Sequence, residues 1–81
     1  MNRSEIFVLM NAVMTKRGRQ ELVSEARTTR AAVFRSLDFS ETALRIEMKI
    51  SRELSFDAAS MRRIETIKDV FDFFEEAIRG S

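Results

Sequence analysis

The string Ser36-Leu37-Asp38 offers the most specific chemistry in the chain, a hydroxyl placed where a weakly patterned stretch meets the strongest helical period. The orphan N–H groups and positive dipole end of a helix start favour an anion, so a phosphate ester on Ser36 would be well placed. A plain helix cap fits the same position and would contribute about 1 kcal/mol. Spacing alone favours the cap. The chain contains no His and no Cys, and no nearby Lys is positioned as a base, so Ser36 is not an activated nucleophile in its own right. Any covalent chemistry at Ser36 has to be done by another enzyme.

Other candidates carry less. Glu75 and Glu76 are adjacent and point in different directions on a helix, while Asp69, Asp72 and Glu76 follow helical spacing and read as a solvated face. Without His or Cys the usual general base, the commonest metal ligand and thiolate sites are all missing, so no catalytic residue and no metal site is expected. The 5 Met and 7 Phe mostly occupy helical stripes, where core packing explains them better than a cofactor site does.

The elements that must position Ser36 follow from punctuation and period. With no Pro and only 2 Gly, helices should dominate. Ile6, Leu9, Met10, Val13 and Met14 predict a first helix from about Ser4 to Thr15, ended by the basic Lys16-Arg17-Gly18-Arg19 with Gly18 as the left-handed cap. From there to Arg35 the pattern is weak and reads as a long connection; a helix over Arg19 to Arg27 is the rival reading. Leu37, Ala43, Ile46, Ile50 and Leu54 predict a helix over Leu37 to Glu53, broken by Ser55-Phe56-Asp57, with Asp57 capping a short turn over Ala58 to Arg62. Thr66-Ile67-Lys68-Asp69 has the form of a capping box, and Ile67, Val70, Phe71, Phe74 and Ile78 make the inward stripe of a last helix, with Gly80 just past its end. The expected core is Ile6, Leu9, Val13, Leu37, Ile46, Ile50, Ile67, Val70, Phe71 and Phe74.

At 81 residues the chain has room for one domain, 1–81, with one core. No apolar run approaches the roughly 20 residues that span a bilayer, and the apolar stretch from Ile6 to Met10 is short for a secretory leader, so a cytoplasmic, non-membrane monomer is expected. The formal charge of +1 hides a division, +4 over residues 1–35 against −3 over residues 36–81. Basic residues without aromatic interleaving make a poor nucleic-acid surface, and Asp38, Glu41, Glu47 and Glu53 on the strongest helix would repel phosphate as often as Arg45, Lys49 and Arg52 attract it. No nucleic-acid partner is expected.

The segment from Arg35 to Glu41 (Arg-Ser-Leu-Asp-Phe-Ser-Glu), followed by Ala43-Leu44-Arg45-Ile46-Glu47, resembles the Asp-Ser-Leu-Asp-x-x-Glu segment of acyl and peptidyl carrier proteins. In that family the Ser receives 4′-phosphopantetheine from coenzyme A. Glu53-Leu54 is similar to the end of the family's second helix, Ile64-Glu65-Thr66-Ile67 to the approach to its last helix, and Asp69-Val70-Phe71-Asp72-Phe73-Phe74 to its close. The resemblance implies an all-α four-helix acyl-carrier-protein-like bundle, three main helices and one short, with a long loop between the first two. It implies that Ser36 is the attachment site, flanked by Arg35, Leu37 and Asp38, and that Leu37, Glu41, Leu44, Glu47 and Met48 meet partners. Those partners would be a phosphopantetheinyl transferase acting with Mg²⁺ and acyl-loading, ketosynthase or acyltransferase-type enzymes of fatty-acid, polyketide or related biosynthesis. The chain departs from the family in having Arg35 where an Asp usually precedes the Ser, and in lacking the Gly usual within Ala31-Ala32-Val33-Phe34, which favours a specialised pathway. The rival from another class is a small helical protein–protein adaptor without the arm.

Overall fold

The computed structural model describes residues 1–22, 25–54 and 58–80. Its first helix, α1 (Arg3–Lys16), begins at Asn2, whose side chain accepts the Glu5 N–H at 2.9 Å while the Glu5 carboxylate accepts the Asn2 N–H at 3.1 Å. This reciprocal cap satisfies two donors that a helix start otherwise leaves open. At the other end Gly18, with φ of 73°, takes the left-handed position, its N–H bonding the Thr15 carbonyl and the Arg19 N–H bonding the Met14 carbonyl. Only a residue without a Cβ adopts that conformation at no cost, so the expected stop at Gly18 is found.

Helix α2 (Ser36–Ile50) ends short of the expected Glu53. Ser51 turns into the left-handed region, the Arg52 N–H bonds the Glu47 carbonyl, and Glu47 Oε2 accepts the Leu54 N–H at 2.7 Å. Leu54 continues the apolar period and is buried, but it reaches the core from the folded-back chain. The expected break at Ser55-Phe56-Asp57 and the Asp57 cap lie outside the described residues. The short α3 (Ala58–Arg62) has the expected extent, and α4 (Ile67–Gly80) runs through Gly80, which is its last residue instead of lying past its end.

The start of α4 accounts for all of its early donors. Thr66 and Asp69 form the expected capping box, Thr66 N–H to Asp69 Oδ2 at 3.0 Å and Asp69 N–H to Thr66 Oγ1 at 3.2 Å. The Ile67 and Lys68 N–H groups bond the Arg27 and Glu25 carbonyls, each at 2.9 Å, and Thr28 pairs with Thr66 in an isolated antiparallel bridge. The long connection between α1 and α2 is thus pinned across the head of α4, where it closes orphan donors. No helix occupies the described part of residues 19–27, so the connection reading holds there.

The chain is all-helical apart from that bridge, among the described residues, and α1 packs against both α2 and α4. Its core joins Ile6, Met10, Val13 and Met14 of α1, Phe39, Ala43 and Ile46 of α2, and Ile67, Val70, Phe71 and Phe74 of α4, with Leu22, Phe34 and Leu54 supplied by connections. Phe39 stacks on Phe74 with ring centroids 4.8 Å apart. Leu9 and Ile50 are only partly buried. Leu37 is a correction: it is 67% exposed. Ile46 lies nine residues further along, two and a half turns, so the two cannot share a face; the inward stripe of α2 is Phe39, Ala43 and Ile46.

A second polar tie holds the N-terminus to α4. Arg3 meets Asp72 at 2.6 Å, Glu25 at 3.0 Å and Glu75 at 3.3 Å, and its guanidinium lies 5.3 Å from the centre of the Phe71 ring. Hydrogen bonds from Lys68 and then Arg3 hold the Asp72 carboxyl below its ordinary range, and the backbone N–H groups of Glu65 and Thr66 do the same for Asp69.

Candidate functional site

Ser36 is exposed at the first residue of α2, so it is not the cap that spacing favoured. The cap position belongs to Arg35, in extended backbone, and the fixing group is Asp38, whose Oδ2 accepts the Arg35 N–H at 2.8 Å. Among the described residues no hydrogen bond engages the Ser36 hydroxyl, or the N–H groups of Ser36 and Leu37. This start contrasts with that of α4, where the corresponding donors are closed by the connection.

Asp38 has a different place from the one expected beside an arm. It is fully buried, with Oδ1 3.1 Å from Arg17 Nε and Oδ2 taking a short contact from Arg19 Nη1. Arg19 also donates to the Val33 carbonyl at 2.8 Å, which clamps the end of the connection at the point where Val33 adopts a positive φ of 59°. A buried carboxylate costs several kcal/mol unless paired, and here two guanidiniums and a backbone N–H supply the pairing. Asp38 therefore fixes the backbone that presents Ser36. Arg17 and Arg19 were not singled out from sequence, and only the bracketing of Gly18 by cations hints at them.

Beside Ser36 and Arg35 opens a cavity of about 210 Å³, walled by Phe34, Phe39, Met61, Ile64 and Val70, with Ser40 at its edge. A larger groove of about 550 Å³ between α3 and α4 shares Ile64 but does not include Ser36. The expected partner residues divide. Leu37, Leu44 and Met48 are exposed at 67%, 56% and 73% and lie seven and then four residues apart, along one side of α2. The two carboxylates among the expected partner residues have partners within the protein: Glu41 meets Arg17 at 3.5 Å, Lys16 at 3.6 Å and Arg45 at 3.3 Å, and Glu47 accepts the Leu54 N–H.

Among the described residues no group of three or more His, Cys, Asp or Glu side chains could hold a metal ion, and no helix is long and apolar enough to cross a membrane. No family model, no curated protein and no solved structure matches the chain.

Proposed function

We propose that the chain is an acyl carrier, not itself an enzyme, modified at Ser36 with 4′-phosphopantetheine and presenting its cargo to partner enzymes. The observation that carries this reading is the state of the α2 start: an exposed hydroxyl and two adjacent N–H groups with no internal partner, on backbone clamped by the Asp38 cluster. A phosphodiester on Ser36 would meet those donors, and the dipole would favour it by about 0.3–1 kcal/mol. Exposed Arg35 adds a cation at the same point. The arm, when bound, supplies the thiol that a chain without Cys lacks. Tethering would raise the concentration of cargo at each partner. The cavity walled by Phe34, Phe39, Met61, Ile64 and Val70 lies beside the attachment point and offers an apolar shelter for a short acyl group. A separate transferase with Mg²⁺ has to form the bond, since nothing beside Ser36 can act as its base.

The test is to incubate parent, Ser36→Ala and Ser40→Ala proteins with coenzyme A and a promiscuous phosphopantetheinyl transferase and weigh the products. Parent and Ser40→Ala should gain the arm and Ser36→Ala should not. Labelling that follows Ser40, or no labelling of parent by any of several transferases, leaves the adaptor reading in its place.

A further inference from the structure

The exposed stripe Leu37, Leu44 and Met48 starts beside Ser36, and the charge around it is not what the count of acids on α2 suggests. Two of the three carboxylates of α2 are paired with cations inside the molecule, and the third keeps its charge while accepting a backbone N–H. Asp38 is buried under Arg17 and Arg19, Glu41 is met by three cations, and Glu47 is held by the Leu54 N–H. The exposed cations Arg35, at the Ser36 end, and Lys49, on the last turn, have no acceptor among the described residues. Glu53 lies beyond the Ser51 turn, at the end of α2 away from Ser36, and the helix between them is about 21 Å long. Lys16, Arg17, Arg19, Arg35, Arg45 and Lys49 stand on or against α2 and outnumber Asp38, Glu41 and Glu47, so the net charge around the stripe is positive, with an apolar centre.

We propose that this face docks a partner enzyme through an acidic surface with an apolar centre. The inference rests on the reading of Ser36 as the loading site, which is what makes a surface beside Ser36 the one a partner must approach. The apolar stripe supplies the contact, and Arg35 and Lys49 supply the charge that steers and orients the encounter. A partner with a basic docking surface would face Arg35, Lys49 and the Arg17–Lys16–Arg45 group, with Glu47 as the one α2 carboxylate not already paired with a cation among the described residues.

The test uses the apo protein and two amphipathic helical peptides that share one Leu pattern, one carrying Glu and the other Lys on its flanks, followed by amide chemical shifts. The Glu peptide should perturb Leu37, Leu44 and Met48 and bind more tightly than the Lys peptide, with affinity falling as salt is added. Reversing both cations, Arg35→Glu with Lys49→Glu, should weaken the Glu peptide by about three- to tenfold, as expected for two exposed charge pairs. The proposal is overturned by tighter binding of the Lys peptide, by indifference to the double reversal, or by no shift on this face at millimolar peptide. Tighter engagement of the same face by phosphatidylglycerol vesicles or duplex DNA than by the Glu peptide also overturns it. Because the apo protein is used, a parent that keeps the peptide preference yet never gains the arm removes the carrier reading alone.

Discussion

Arg19 and Asp38, nineteen residues apart in the chain, are joined by a guanidinium–carboxylate contact that ties the end of the α1 turn to the start of α2. Arg17 reaches the other carboxylate oxygen, so the two cations flanking Gly18 close on one buried acid. The contact sets where Ser36 stands relative to the rest of the bundle.

Removing that acid should loosen both the connection and the helix start. Asp38→Ala is expected to cost about 3 kcal/mol, near the lower end for breaking a buried ion pair because the two Arg side chains left behind can reach water. Urea unfolding should show the loss, and the amides of Val33 to Ser36 should exchange faster. A midpoint equal to that of the parent would mean the cluster is not a fastening.

The aromatic core predicts a larger effect. Phe71 is 1% exposed, stacks on Phe7 with centroids 5.8 Å apart and lies under Arg3. Phe71→Ala should cost about 3–5 kcal/mol, a large part of what holds so small a domain. Thermal melting within a degree or two of the parent would contradict this packing.

Acid should weaken the fold through Asp69 and Asp72, whose folded-state values lie below the ordinary 3.8. The carboxylate forms are favoured in the folded state, so their contribution is complete at neutral pH. It declines once pH falls below 3.8, where the unfolded chain takes up protons first, and is gone below the folded values. Asp69→Ala leaves the Thr66 Oγ1 cap in place but removes the carboxylate that accepts the Glu65 and Thr66 N–H groups, and should cost about 0.5–1.5 kcal/mol at pH 7. The difference between parent and variant should shrink as the pH is lowered to the point where the parent's Asp69 is protonated, read from urea midpoints across the range.

Two residues with side chains sit where glycine fits better. Val33 and Ser51 have φ of 59° and 57°, and both are exposed. Ser51→Gly should raise stability by about 0.5–1 kcal/mol, since relief of the left-handed strain outweighs the extra freedom of the unfolded chain. Val33→Gly should gain at least as much, because a branched Cβ tolerates this region worst. A fall in melting temperature in both would place these turns in another conformation.

Much of the fold is legible in the sequence because it depends on neighbours within a turn. The Thr66–Asp69 cap, the stripe of Ile67, Val70, Phe71 and Phe74, the short α3 and the Gly18 stop all rest on spacings of three or four residues, or on one backbone conformation that glycine alone adopts freely. The exposed side of α2 was also within reach, since nine residues separate Leu37 from Ile46 and put them on opposite faces. What only the tertiary structure decided is where separated segments meet. The partners of Asp38 come from a turn nineteen and twenty-one residues earlier, the α4 donors are closed by Glu25 and Arg27 from a stretch with no period, and Leu54 enters the core from outside its helix. Ion pairs and backbone bonds of this kind leave no periodic trace, because a charge or a carbonyl can be met from any direction once the chain has folded, and only the packing of α1 against α2 and α4 selects which.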